Sequence, residues 1–164
     1  MDSVSQRLCP QQIQLDLDVP GRGEALRAVA AMIERSRRLS GPVVWRALWR
    51  RELAASTGLG NGFAVPHARI TGITEPVTAY MRLKAPVDFA APDGKQVSEL
   101  FVILVPADGP NAEHLQLLSR VAELFSDSDF RARLVAASTP HGVRSVFTQW
   151  IDEKHLGATE GSSG

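Results

Sequence analysis

Leu100-Phe101-Val102-Ile103-Leu104-Val105 is an apolar run with no polar position. A short run that neither alternates nor follows helical spacing reads as a strand buried on both faces. Such a strand lies at the centre of a sheet, and the rest of the chain must be placed around it. Pro106 closes it, and Ala107-Asp108-Gly109-Pro110 makes the turn that follows. Asn111 is then expected to N-cap a helix with apolar positions Leu115, Leu118, Val121, Ala122 and Phe125. Two shorter helices follow, near 127–137 and 140–153.

Upstream, Ile13-Gln14-Leu15-Asp16-Leu17 alternates apolar and polar, the pattern of a half-buried edge strand. Pro20-Gly21-Arg22-Gly23 breaks it. From Glu24 the spacing becomes helical: Leu26, Val29, Ala30 and Ile33 share a face, and Arg35, Arg37 and Arg38 crowd the C-terminal end, where cations suit the helix dipole. Ser40 or Gly41 starts a second helix with Pro42 in its first turn. Val44, Ala47, Leu48 and Arg51 fall on one side of it. Val77–Leu83 reads as a strand, and 86–96 as a polar connection. Residues 1–10 are expected to form a flexible arm, 11–154 one domain, and 155–164 a flexible tail.

Composition excludes several classes of function. The chain has 164 residues, enough for one domain with a real core. It carries 18 basic and 18 acidic residues, a formal net charge of zero, which argues against bulk nucleic-acid or polybasic membrane binding. Cys9 is the only cysteine, so there is neither a disulfide framework nor a Cys-rich metal site. The N-terminus lacks the apolar core of a signal peptide, and no apolar run approaches a membrane span. A cytoplasmic location with no membrane insertion is the expectation.

Between the second helix and the strand at Val77 lies Ser56-Thr57-Gly58-Leu59-Gly60-Asn61-Gly62-Phe63-Ala64-Val65-Pro66-His67. Glycines at alternate positions allow positive φ and close approach to another group. Pro66 fixes its own φ and biases Val65 toward an extended conformation. His67 is therefore expected at the end of a short strand, on a stiff stem. Taken alone, such a loop is more often only a loop, and a lone histidine more often structural. No Gly-Lys-Ser/Thr follows, so it is not a Walker A loop. The spacing G-x-G-x-G leading into a strand does not make a dinucleotide fingerprint.

His114 is the second residue of interest. It falls in the first turn of a helix that follows a buried strand, where free N–H groups favour anions and keep an imidazole neutral. Strand ends of this kind are where open α/β sheets place ligands. If His67 and His114 meet there, they form a two-imidazole site. A metal site is the competing reading, but no acidic or cysteine ligand is spaced to complete the set. Arg51 continues an apolar stripe near a helix end, which suits a snorkelling or capping arginine. His141 and His155 read as solvent-exposed bystanders.

Arg51-Glu52-x-x-x-Ser56-Thr57-Gly58-x-Gly60-x-Gly62-x-Ala64-x-Pro66-His67-x-Arg69 resembles the active-site segment of the fructose/mannitol-type enzyme IIA domains of the bacterial phosphotransferase system. His114-Leu115-x-Leu117-Leu118-Ser119-x-Val121-Ala122 resembles that family's second-histidine helix, and Pro86-Val87-Asp88-Phe89 and Asp93 also fit. The resemblance spans residues 10 to 150. It implies an α/β fold, a three-layer α/β/α sandwich with a small mixed sheet between helices. It also implies roles. His67 accepts a phosphoryl group from a histidine phosphocarrier protein, through Nε2, and passes it on. His114 supports the phosphoryl group or orients the imidazole, and Arg51 supplies positive charge to the phosphoryl oxygens. No cofactor, nucleotide or metal is implied.

The resemblance leaves a choice of branch. A nitrogen-regulatory enzyme IIA relays phosphate and controls target proteins such as kinases or transporters; a sugar-specific enzyme IIA donates to a IIB partner for uptake. The absence of a IIB domain, a cysteine phosphorylation loop and a membrane segment favours the regulatory branch. A non-catalytic binding module is the alternative of another class. A histidine-pair hydrolase is weaker, because no serine or carboxylate is tied to the pair by spacing.

Overall fold

The computed structural model describes Val4 and residues 7–160, the side chains of 151–160 excepted. A 3-10 turn at Pro10–Gln12 leads into β1 (Ile13–Leu17). Two helices follow, α1 (Arg22–Arg37) and α2 (Gly41–Ala54). Then come three short strands, β2 (Gly58–Gly60), β3 (Phe63–Ala64) and β4 (His67–Ile70), and two long ones, β5 (Val77–Val87) and β6 (Val97–Pro106). The described residues end with α3 (Asn111–Ser126), α4 (Ser128–Ala136) and α5 (Pro140–Glu160).

The sheet has six strands in the order β1-β5-β6-β3-β2, with β4 also on β6. It is mixed: β1 runs parallel to β5, β5 antiparallel to β6, and β3 and β4 parallel to β6. The apolar run of β6 is central, and Leu100 to Leu104 are fully buried. β6 separates two cores. Leu100, Val102 and Leu104 face α1 and α2, joining Leu26, Val29, Ile33, Val44 and Leu48. Phe101, Ile103 and Val105 face the C-terminal helices, joining Leu117, Val121, Phe125, Phe130 and Phe147. Side chains that alternate across a strand thus fill both faces, which makes the three-layer α/β/α sandwich.

Local chemistry explains the element boundaries. The Ser40 side chain accepts from Val43 N–H and Pro42 sits in the first turn of α2. Asp127 caps α4 by accepting from Asp129 and Phe130 N–H. Arg38, at φ 57°, closes α1 in the left-handed conformation, and its N–H donates to Glu34 O.

Four expectations are corrected. The N-terminal arm is not loose where it is described: Val4 and Leu8 are fully buried in the core under the C-terminal helices. The strand at Val77 runs on through Pro86 to Val87, with a register shift after Arg82. The last helix continues past 154 to Glu160, so the expected tail remains only at 161–164, outside the described residues. The cap of α3 is Pro110, and Asn111 is its first helical residue.

Candidate active site at the start of β4

β3 and β4 run along β6 as one strand with a break. Phe63 and Ala64 pair with Glu99 and Leu100, and His67 to Ile70 pair with Ile103 to Pro106. The break is at Val65-Pro66. Pro66 has no N–H to donate, and Val65 N–H turns away to Thr57 O at 3.0 Å. The Pro66 carbonyl still accepts from Ile103 N–H at 3.0 Å. His67 therefore opens β4 instead of ending a strand. The physical reason is that the ladder resumes at the first residue after proline with a free N–H.

Alternation puts Phe63, Val65, His67 and Arg69 on the face that meets α3, while Ala64, Ala68 and Ile70 point to the opposite core. His67 Nδ1 lies 2.8 Å from Val65 O. A carbonyl can only accept, so Nδ1 carries the proton and Nε2 keeps its lone pair. The ring of His114 lies against that of His67, with centroids 5.5 Å apart and planes at 70°. His114 Nε2 is buried without a hydrogen-bond partner. A buried polar atom left unpaired is costly unless a ligand completes it.

Both imidazoles are held below their ordinary pKa. Burial is the largest cause of the lowered His67 pKa, and the Arg51 charge adds to it, against the Val65 hydrogen bond. His114 is also held below its ordinary value, first by burial, then by the His67, Arg69 and Arg51 charges. Arg51 serves the helix end as well: its guanidinium donates to Ala55 O at 2.6 Å. The structure thus brings the His67 and His114 rings together, and the Arg51 charge acts on both. His141 is exposed at the start of α5, and the side chain of His155 lies outside the described residues. Among the described residues, no group of three or more His, Cys, Asp or Glu side chains is placed to hold a metal ion.

The Gly-rich loop is held from both ends. The Glu52 side chain is fully buried and accepts from Thr57 N–H at 3.2 Å and Thr57 Oγ1 at 2.5 Å, with Arg22 at 3.7 Å. On the other side, Asp93 accepts from Asn61 N–H at 3.1 Å and Ser56 Oγ donates to Phe89 O at 2.5 Å. Gly60 and Gly62 take φ of 94° and 83°. Two residues of the active-site segment to which the sequence attached no role gain a place near the pair. Arg69 donates to Gly109 O at 3.4 Å and to Asn111 Oδ1. Its signal is the two-residue spacing from His67, which puts both on one face of a strand. Glu52 stands beside Arg51 in the active-site segment, but its burial is a tertiary fact with no local signal.

A family model described as "Phosphoenolpyruvate-dependent sugar phosphotransferase system, EIIA 2" matches residues 7–150. The chain belongs to this family and is a component of the phosphotransferase system of the enzyme IIA kind. Among its relatives is a nitrogen regulatory protein of Pseudomonas aeruginosa, 38% identical over 133 residues, covering 79% of this chain and 86% of the relative. A fructose-specific EIIA component of Haloferax volcanii is 37% identical over 106 residues, covering 65% and 68%. The crystal structure of nitrogen regulatory protein IIA-Ntr from Neisseria meningitidis superposes with a TM-score of 0.82 at 36% identity, covering 88% of this chain and 99% of that one.

Proposed function

We propose that this enzyme IIA component is a phosphohistidine relay in which His67 Nε2 takes a phosphoryl group from a histidine phosphocarrier protein and hands it on. The observation that carries the reading is the His67–Val65 hydrogen bond. It fixes the proton on Nδ1 and leaves a neutral, stiffly mounted Nε2 as nucleophile. In the step itself, the Nε2 lone pair forms the new N–P bond as the donor's N–P bond breaks, and the electron pair returns to the donor imidazole. Such transfers depend on in-line positioning and charge stabilisation. The unpaired His114 Nε2 is available to the phosphoryl oxygens, and the Arg51 guanidinium offsets their charge. Pro110 has no side-chain hydrogen bond to cap α3, so the first-turn N–H groups beside His114 stay open to an anion.

The nitrogen-regulatory branch is favoured over sugar uptake, because a relative of that name is 38% identical over 79% of this chain and a solved structure of that name superposes with a TM-score of 0.82. Its outputs are target proteins such as kinases or transporters, set by the phosphorylation state of His67. The sugar-uptake reading has the fructose-specific relative in its support and predicts onward transfer to a IIB partner.

The test is phosphotransfer from phosphoenolpyruvate through enzyme I and a phosphocarrier protein, followed as acid-labile mass gain. Wild type is expected to gain one phosphoryl group and His67→Ala none. His114→Ala is expected to slow the gain by about 10- to 100-fold. No gain in wild type would sink the relay and leave a binding module. Passage of the group to an added sugar IIB protein would move the assignment to the uptake branch.

A further inference from the structure

We infer that Arg69 is a positioning residue for phosphoryl transfer: its guanidinium straps β4 to the start of α3 and so holds His114 against His67. The inference rests on the relay reading above and gives one more side chain a part in it. His67 and Arg69 lie two residues apart on β4 and project from the same face. The Arg69 guanidinium reaches across to α3 at two points. One terminal nitrogen donates to Gly109 O at 3.4 Å, in the turn before the helix, and the other donates to Asn111 Oδ1, on its first residue.

The strap explains two features that the fold leaves open. Asn111 is a residue type that commonly caps helices, yet here its side-chain oxygen is turned to Arg69. With Pro110 at the cap position the helix start has no side-chain cap, and a side chain from the nucleophile's own strand holds its direction. His114 lies one turn along from Asn111, so any tilt of that start moves its ring relative to His67, now at 5.5 Å between centroids. A displacement of about 1 Å at such a contact is enough to cost a large factor in rate. The Arg69 charge also helps keep the His114 ring unprotonated. Arg69 is exposed, so removing it leaves no cavity.

The test uses the full chain with its phosphocarrier donor and compares Arg69→Ala, Arg69→Lys, Asn111→Ala and the Arg69→Ala/Asn111→Ala pair. Thermal midpoints are expected to stay near wild type. The rate at saturating donor is expected to fall about tenfold in Arg69→Ala. It should fall less in Asn111→Ala, which keeps every charge and the Gly109 contact. The double variant should be no slower than Arg69→Ala alone, the mark of two residues acting through one contact. In an NMR titration that needs no donor, the His114 midpoint should rise in Arg69→Ala and return in Arg69→Lys, while the rate in Arg69→Lys recovers only in part. A saturated rate within about twofold of wild type in Arg69→Ala overturns the inference. So does a pure rise in half-saturating donor concentration, which would make Arg69 a docking residue, or full additivity in the double variant. The relay reading fails separately, when wild type itself takes up no phosphoryl group.

Discussion

At the scale of single residues, the site depends on where two protons are. His67 has one, fixed on Nδ1 by the Val65 carbonyl. A second proton on Nε2 would remove the nucleophile. Burial and the Arg51 charge oppose that protonation, and the same two causes act on His114. Both rings are expected to titrate below the ordinary 6.5 when followed by the NMR shifts of their ring C–H protons. A midpoint above 6.5 for His67 would mean that the Val65 hydrogen bond outweighs burial. With the His67 midpoint lowered, the rate of phosphoryl acceptance is expected to decline at a lower pH than it would for an imidazole of ordinary pKa. Stability has the same sign. The unfolded chain binds protons at its ordinary pKa before the folded chain does at its lowered ones. The histidine contribution is therefore complete above 6.5 and is lost as pH falls through the folded values.

At the scale of elements, the nucleophile is aimed by a loop clamped between α2 and the segment after β5. The clamp leaves no room at Gly58: a Cβ there would stand 2.8 Å from Ala91 Cβ and 3.0 Å from Ala91 Cα. Since one of those atoms is backbone, relief requires the two segments to part. Gly58→Ala is expected to cost about 1–3 kcal/mol of stability and to slow phosphoryl uptake, read by thermal denaturation and the phosphotransfer assay. A variant as stable and active as wild type would show that the loop needs no close approach there. Much of this element is legible in the sequence, because alternating glycines ending in Pro66-His67 have few other conformational uses. The side of the break on which His67 falls is not. It depends on the register of β6, whose Ile103 lies opposite His67. The expected cap at Asn111 fails because Pro110 takes the cap position; the Asn111 side chain, one residue inside the helix, meets Arg69 from 42 residues earlier in the chain.

At the scale of the whole molecule, β6 divides the protein into two cores, and the Leu100–Val105 run makes that division legible from the residues alone. What the run conceals is the residue before it. Glu99 is only 5% exposed, among the aromatic side chains under the C-terminal helices. It accepts from Tyr80 OH at 2.6 Å. The Arg82 Nε donates to the same Tyr80 oxygen at 3.3 Å, and its terminal nitrogens donate to Leu134 O and Ala137 O at 2.6 and 2.7 Å. A polar thread thus crosses from the central strand to the end of α4, and no local pattern announces it. Burial is the largest cause of the raised Glu99 pKa, opposed by the Tyr80 hydrogen bond and the Arg82 and Arg131 charges. An acid whose pKa is raised on folding stabilises most when protonated, and that stability is lost as pH rises from 4.5 through the folded value. Glu99→Gln keeps an acceptor for Tyr80 without the buried charge. It is expected to be at least as stable as wild type at pH 7, with the difference closing toward pH 5. Tyr80→Phe leaves the carboxylate short of a donor and is expected to cost about 1–3 kcal/mol. Thermal denaturation at the two pH values decides the matter. A lower midpoint for Glu99→Gln at pH 7 would mean that attraction from Arg82 and Arg131 exceeds the cost of burial, so that the thread holds the sheet to α4 as an ionic tie.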